Sequence, residues 1–430
     1  MSRALLLSLV MVSTAIMGPL GVGFGEVDGS VIASGSASVG TVSPAGSVAV
    51  PRGSPMASLS APLLQLPSVE TRALPVADPT TPGTTGQAPG NSLLAIPGAP
   101  FNTVQDAFAV TGSKSPSGAS LASWSRMKQG PFPEEGYLTG LVFDKELGQF
   151  VTVGGYTGSA FTNRTWTFDE ASNTWTNVST KNGPPALVYH TLVYDSRAKA
   201  SVIFTGAIFP PGAFFNYTYL YNSSSRSFIN ASGPGAPPTR YVPTMAFDEG
   251  AGVSVLYGGV GLATGAPMAD TWLFDGVSKT WSNVTKPTNP GLRYAHHMAY
   301  HPGIKKVVLY GGYYNNSYYF ADTWLFDTST RNWTNASAIG TPGNLAGGAM
   351  TYDPSSGLII YTGGTPRAGA PNTLVYVYDA STNQWSKADT KWNPPSSIFP
   401  TMAALDPMPG SPALGHSSGG KVVYYGGSGG

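Results

Sequence analysis

Residues 294 to 335 read YAHHMAYHPGIKKVVLYGGYYNNSYYFADTWLFDTSTRNWTN, and this stretch decides the fold. Short runs of β-branched and aromatic residues stand between clusters of Gly, Pro, Asn and Asp, the pattern of strands joined by tight connections. Strand a is read as Tyr294 to Tyr300 and ends at the turn His301-Pro302-Gly303. Strand b is Lys306 to Tyr310, closed by Gly311-Gly312. After an aromatic loop come strand c, Asp322 to Asp327, and strand d, Asn332 to Asn335, which carries Trp333.

The same grammar returns along the chain. A glycine doublet or close variant stands at Gly154-Gly155, Thr205-Gly206, Gly258-Gly259, Gly311-Gly312, Gly363-Gly364 and Gly426-Gly427, with second members 51, 53, 53, 52 and 63 residues apart. The strand-d aromatic recurs as Trp124, Trp175, Phe228, Trp281, Trp333 and Trp385, at intervals of 51, 53, 53, 52 and 52. An aromatic-Asp pair closes strand a at Phe143-Asp144, Tyr194-Asp195, Phe247-Asp248 and Tyr352-Asp353, and His301 replaces the Asp in the fourth unit. A four-stranded unit of about fifty residues leaves its faces bare by itself, so such units stack around an axis. The predicted fold is all-β: a six-bladed propeller with four-stranded blades. Five complete units run from about 137 to 388. A further strand a (398 to 405) and strand b (Lys421 to Tyr425) follow them. The missing strands c and d are read ahead of the first unit, at Ala107 to Val110 and around Trp124. Joining the two ends closes the last blade and hides two sheet edges.

The doublet after strand b, the aromatic in strand c and a Trp six residues after an Asp together resemble the kelch repeat. Asp169 and Trp175, Asp275 and Trp281, Asp327 and Trp333, and Asp379 and Trp385 carry that spacing. The resemblance covers roughly residues 120 to 430 and is nearest to the secreted kelch-motif proteins of archaea, which share the low charge and many sequons. The second unit departs from the pattern, with Thr205 for the first glycine and Phe228 for Trp. The resemblance implies a β-propeller, which in this family serves binding and in some members catalysis. The copper galactose oxidases among kelch propellers need a Tyr–Cys crosslink, and this chain has no Cys.

Outside the repeat the chain divides into two further segments. Residues 1–25 read as a signal peptide or N-terminal anchor, with Arg3 before an apolar run from Ala4 to Ile16. Residues 26–100 are rich in Ser, Pro, Gly and Ala and read as a disordered linker. The propeller is assigned to 101–430. Charged residues make up 10% of the chain and the formal net charge is +1, so no general attraction to nucleic acid is expected. Membrane contact is expected only through an uncleaved N-terminal anchor. The expected location is extracellular or at the cell surface. Absence of Cys also removes disulfides and thiolate metal sites, and no cofactor or metal is expected. Nine N-x-Ser/Thr sequons, at Asn163, Asn177, Asn216, Asn222, Asn230, Asn283, Asn315, Asn332 and Asn335, are candidate glycosylation sites. Asn177, Asn230, Asn283 and Asn335 share one repeat position, which Asn-rich turns of a repeat would also generate.

Alternating strand direction puts the b–c and d–a loops on one face of the disc and the a–b and c–d turns on the other. The first face holds the binding candidates Tyr313, Tyr314, Tyr318 and Tyr319, whose rings suit sugar stacking or protein contact. The alternative is that they fold back over the blade tip. The loop from Ala207 to Phe215 is also aromatic, and there the fold-back reading leads. Arg240 and Arg293 occupy one repeat position and could hold a carboxylate from the mouth. Blade packing is the favoured reading of both, and of the repeat-equivalent His190 and His296. His297, His301 and His416 show no metal-ligand spacing. Gly415-His-Ser-Ser-Gly419 matches a nucleophile-elbow string without its strand-turn-helix setting, and Val422 stands where a phosphate loop needs Ser or Thr. No catalytic residue is assigned. The reading is a secreted or surface-tethered binding module for a glycan or a cell-surface protein. The alternatives are a sugar-acting enzyme of epimerase or mutarotase type on the axis, and a structural component of the cell envelope.

Overall fold

The computed structural model describes residues 106–110, 122–126, 133, 136, 138–208, 213–315, 318–388, 397–404 and 421–429. All of these belong to the compact unit that contains Ile96–Gly430. The expected signal peptide or anchor (1–25) and linker (26–100) lie outside the described residues.

Five blades, rather than six, are each cut from one contiguous stretch of chain, with four antiparallel strands in the order a-b-c-d. In the first blade these are Gly140–Asp144, Gln149–Tyr156, Phe161–Asp169 and Thr174–Asn177. In the fourth they are His297–His301, Lys306–Tyr310, Thr323–Asp327 and Asn332–Asn335. Strand a there begins three residues later than its sequence predicts. Ala295 has φ 52°, a left-handed conformation that interrupts the extended run from Tyr294. The remaining four-stranded sheet is composite: Thr401–Ala404, Lys421–Tyr425, Asp106–Val110 and Ala122–Arg126 pair in that order. Its middle seam joins the two chain ends, with Ala107 opposite Val423 and Phe108 opposite Val422.

The a strands pack one against the next, and the a strand of the composite sheet packs against both the fifth blade and the first. Gly427 N–H donates to the Gly136 carbonyl at 2.6 Å, and Leu141 N–H donates to Thr401 Oγ1 at 2.8 Å. Trp175 of the first blade lies 5.2 Å from the Tyr425 ring. The apolar core is accordingly a circle of seams between neighbours. Leu141, Phe150 and Trp175 meet Ala403 and Val423 in one, and Ile360 and Val375 meet Met402 and Val422 in another.

Two devices repeat at these seams. The second glycine of a doublet donates its N–H to the next blade: Gly155 to Leu187, Gly259 to Arg293 and Gly312 to Leu345, each at 3.0 Å. The first glycine lies against the same carbonyl. A Cβ on Gly258 or Gly311 would stand 2.5 Å from the Arg293 or Leu345 oxygen, and both residues have positive φ. Only glycine meets both conditions. The strand-d Trp is the other device. Trp281, Trp333 and Trp385 donate Nε1–H to Thr218, Thr271 and Thr323 of the preceding blade, each at 2.9 Å. Each ring also lies between an aromatic of its own strand c and one from strand b of that preceding blade, as Trp385 does between Tyr378 (5.2 Å) and Tyr310 (4.8 Å). Burial of such a ring stabilises by roughly 2–3 kcal/mol, and the buried hydrogen bond fixes its orientation.

Asp at the end of strand a caps the a–b turn. Asp248 Oδ1 accepts the N–H groups of Gly250 (2.9 Å) and Ala251 (3.0 Å). His301 does the same work in the fourth blade, where its Nδ1 accepts the Gly303 N–H at 3.1 Å.

Gly311→Ala is expected to lower stability by roughly 3 kcal/mol, because strain and the clash with Leu345 add. Gly235→Ala carries only the strain of its φ of +86°, with nothing within 4 Å of the new Cβ, and is expected to lose about 1 kcal/mol. Urea unfolding of the two variants tests the difference.

Candidate functional site

The a strands enclose a central channel of about 630 Å³. At the b–c and d–a face it narrows to residues at one repeat position: Leu138, Tyr189, Val242, Ala295, Gly347 and Phe399, all with positive φ. Their backbones form a chain of contacts from blade to blade. Tyr189 N–H donates to Leu138 O (3.0 Å), Val242 to Tyr189 (3.2 Å), Gly347 to Ala295 (2.9 Å) and Phe399 to Gly347 (2.7 Å). The left-handed conformation turns each of these N–H groups toward its neighbour. Tyr189 and Phe399 reach across and pack both on Leu138 and Val188 and on the cluster of Tyr241, Tyr294 and Tyr313. These rings narrow that mouth with an apolar plug, which the sequence reading did not identify. At the other mouth Glu249 bridges Lys145 of the first blade and Ser196 of the second. Glu249 is the one carboxylate among the described channel-lining residues.

Arg240 and Arg293 do not point into that channel. Both are fully buried in the d–a loops, and each is paired with one carboxylate. Arg240 Nη1 and Nη2 bind the two oxygens of Asp270 at 2.6 and 2.7 Å, Nη1 also donates to the Gly258 carbonyl, and Nε donates to Pro238 O. Arg293 holds Asp322 (2.7 and 3.0 Å) and the Gly311 carbonyl in the same way, but donates to Pro290 O through Nη2 instead of Nε, and its guanidinium lies 3.8 Å above the Phe320 ring. Trp272 and Trp324 add an indole N–H to each carboxylate at 2.7 Å. Burial pushes the Asp270 carboxyl up, but the hydrogen bonds and charge of Arg240 outweigh it and hold the carboxyl below its ordinary value. Each fork ties a d–a loop to the first doublet glycine and to the Asp before strand c of its own blade.

The aromatic b–c loop of the fourth blade is a small hairpin in which Tyr313–Asn315 pairs with Tyr318–Tyr319. Tyr313 and Tyr319 stack at 4.9 Å with an interplanar angle of 11°, and Tyr313 also meets Tyr294 at 4.1 Å. Both are buried, and burial pushes the Tyr313 and Tyr319 hydroxyls up. Tyr314 and Tyr318 are 41% and 59% exposed. The four tyrosines therefore split into a buried pair that stiffens the hairpin and an exposed pair that it presents. Leu292, in the adjoining d–a loop, is exposed as well. The aromatic loop of the second blade extends its strands to Ile208 and Ala213, and residues 209–212 between them lie outside the described residues.

The sequons fall into two geometries. In Asn177, Asn230, Asn283 and Asn335, Oδ1 accepts the N–H of the sequon's own Ser or Thr at 2.7–3.0 Å. In three of these the hydroxyl then accepts a strand-c N–H: Ser179 from Thr165, Ser232 from Thr218 and Thr285 from Thr271. The repeated motif thus has a structural use at the end of strand d. In Asn163 and Asn216 it is the amide nitrogen that is engaged, with the carbonyls of Pro184 and Pro237, while Asn222 both donates to the Lys199 carbonyl and accepts the Ser225 N–H on Oδ1. Asn332 accepts from Lys286 Nζ, and the Asn315 side chain lies outside the described residues.

His190, His296 and His297 line the channel wall. Burial lowers His190 to about 4 and His297 to about 3, and burial together with Arg293 holds His296 well below the ordinary range. Among the described residues no group of three His, Cys, Asp or Glu is placed to hold a metal ion. No helix of the described residues is long and apolar enough to cross a membrane.

These features define a kelch-type β-propeller. A family model for the KLHDC2/KLHL20/DRC7 Kelch-repeats domain matches residues 144–344 and 254–428, and the chain belongs to that family. No curated protein matches the chain. Kelch propellers generally bind proteins.

Neutral buried histidines make stability depend on pH. Their folded pKa lies below the unfolded value of about 6.5, so the unfolded state binds more protons between the two. The stability is whole above about pH 6.5 and is lost as pH falls toward 4. The unfolding free energy from urea titrations is expected to drop between pH 7 and pH 5, by roughly 2 kcal/mol for each histidine. His190→Gln with His297→Gln should flatten that slope.

Proposed function

We propose that the chain is a protein-binding module exported to the cell surface, and that its contact surface is the face of the b–c and d–a loops. The exposed Tyr314 and Tyr318 on a hairpin stiffened by the buried Tyr313 and Tyr319 carry this reading. A rigid aromatic that is already ordered loses little entropy on binding, and it offers a broad apolar face with a polar tip. Exposed Leu292 adds apolar area beside it. A protein is favoured over a glycan because kelch propellers generally bind proteins. Surface delivery rests on the apolar segment of residues 1–25.

Arg240 and Arg293 serve this function from beneath. They fix the d–a loops that flank the face and leave contact with the partner to the exposed rings. The composite sheet acts as a sixth blade that closes the ring, so that the face is held by neighbours on all sides.

Affinity capture with the full chain, followed by titration of the partner recovered, tests the reading. Tyr314→Ala with Tyr318→Ala is expected to weaken binding at least tenfold, about 1.4 kcal/mol, with an unchanged urea midpoint. Undiminished binding would move the site to the other face.

A further inference from the structure

The two faces of the disc carry different charge. Odd and even strands run in opposite directions, so the end of each strand assigns its residues to a face. Among the described side chains the carboxylates on the b–c and d–a face are Asp270 and Asp322. Both are held by the buried Arg240 and Arg293. Beyond those pairs the same face carries Lys181, Arg367 and Lys387. Every other described carboxylate closes strand a or c or lies in the turn that follows, at the opposite face. Cations such as Lys145, Arg197, Lys199 and Lys306 share the opposite face, so among the described residues the loop face has an excess of cations and the opposite face an excess of carboxylates.

Lys181, Arg367 and Lys387 lie on the face that presents the rings. Arg367, in the b–c loop of the fifth blade, is exposed, and its charge reaches the Tyr319 hydroxyl of the neighbouring blade. Lys181 is exposed in the loop between the first and second blades. Lys387, at the end of strand d of the fifth blade, is exposed.

We propose that the segment bound on this face is acidic: a polypeptide stretch with Asp or Glu close to an apolar or aromatic residue. The ring pair and Leu292 would take the apolar group while Arg367 and the lysines meet the carboxylates. Such complementarity raises the association rate and excludes basic partners. A nucleic acid fits less well. The cations are distributed over several blades around exposed rings, and the opposite face is rich in carboxylates. This proposal rests on the loop face being the binding face.

The test is selection of a random-sequence peptide library on the full chain, followed by binding measurements at low and physiological salt. Enriched peptides are expected to be net negative with an aromatic or aliphatic residue. Their affinity should fall at least tenfold in Arg367→Glu with Lys181→Glu, and also with added salt. Enriched peptides that are neutral or basic, acidic peptides indifferent to the charge reversal, or no enrichment would overturn the proposal. Tighter binding of a labelled single-stranded RNA than of any peptide would overturn it too. Neutral peptides that still require Tyr314 and Tyr318 would sink the charge and leave the face. Peptides indifferent to both tyrosines would sink the face as well.

Discussion

One contact governs this molecule: the backbone of each glycine doublet laid against the start of the next blade. Gly155, Gly259, Gly312 and Gly427 all donate across a seam, to Leu187, Arg293, Leu345 and Gly136. A blade has two apolar faces and no core of its own, so its stability is a property of its seams. The doublet sets how closely neighbours approach at the axis, and the strand-d tryptophan sets the approach further out. Together they fix the angle between blades. The last of these contacts, Gly427 to Gly136, seats the C-terminal strands of the composite sheet on the first blade.

The site inherits its shape from the same contact. Laying one blade's doublet on the next blade's strand a places a left-handed residue just beyond it, at the channel mouth. Leu138, Tyr189, Val242, Ala295, Gly347 and Phe399 are held there by neighbouring backbones. The d–a loops that lead into this circle are tied down by Arg240 and Arg293 in the third and fourth blades. In the second and fifth blades Leu187 and Leu345 stand at the Arg position, and Tyr217 and Leu374 at the Asp position. An apolar pair thus replaces a buried ion pair at equivalent places, a substitution that is often near neutral when both partners change together.

The repeat made most of the fold legible. Strand b of the fourth blade and the last strand b, Lys421 to Tyr425, fall where their β-branched runs put them, because a strand between two turn clusters has little freedom. Strand a was read too long, since Ala295 gives no sign of its positive φ. The plug was invisible for the same reason: its members share a position and a backbone conformation but no chemistry. The role of the two arginines had a signal that went unused. Arg240 occurs with Asp270-Thr-Trp and Arg293 with Asp322-Thr-Trp, while blades that lack one lack the other. Pairing across repeats within one chain identifies contacts much as covariation does between chains. The split of the four tyrosines was not legible, because a two-residue alternation in a loop does not reveal which side is covered.

Closure of the ring by strands from both chain ends is the claim on which the face, the plug and the charge difference between the faces all stand. The chain has no cysteine, so a single engineered pair reports on it without interference. Ala109 and Lys421 are opposite partners in the composite sheet. Ala109→Cys with Lys421→Cys is expected to form an intramolecular disulfide under mild oxidation, at the Cα spacing of an antiparallel pair. Ala109→Cys with Val423→Cys, displaced along the strand, is expected to remain reduced. Equal crosslinking of both pairs, or none in the first, would contradict the account.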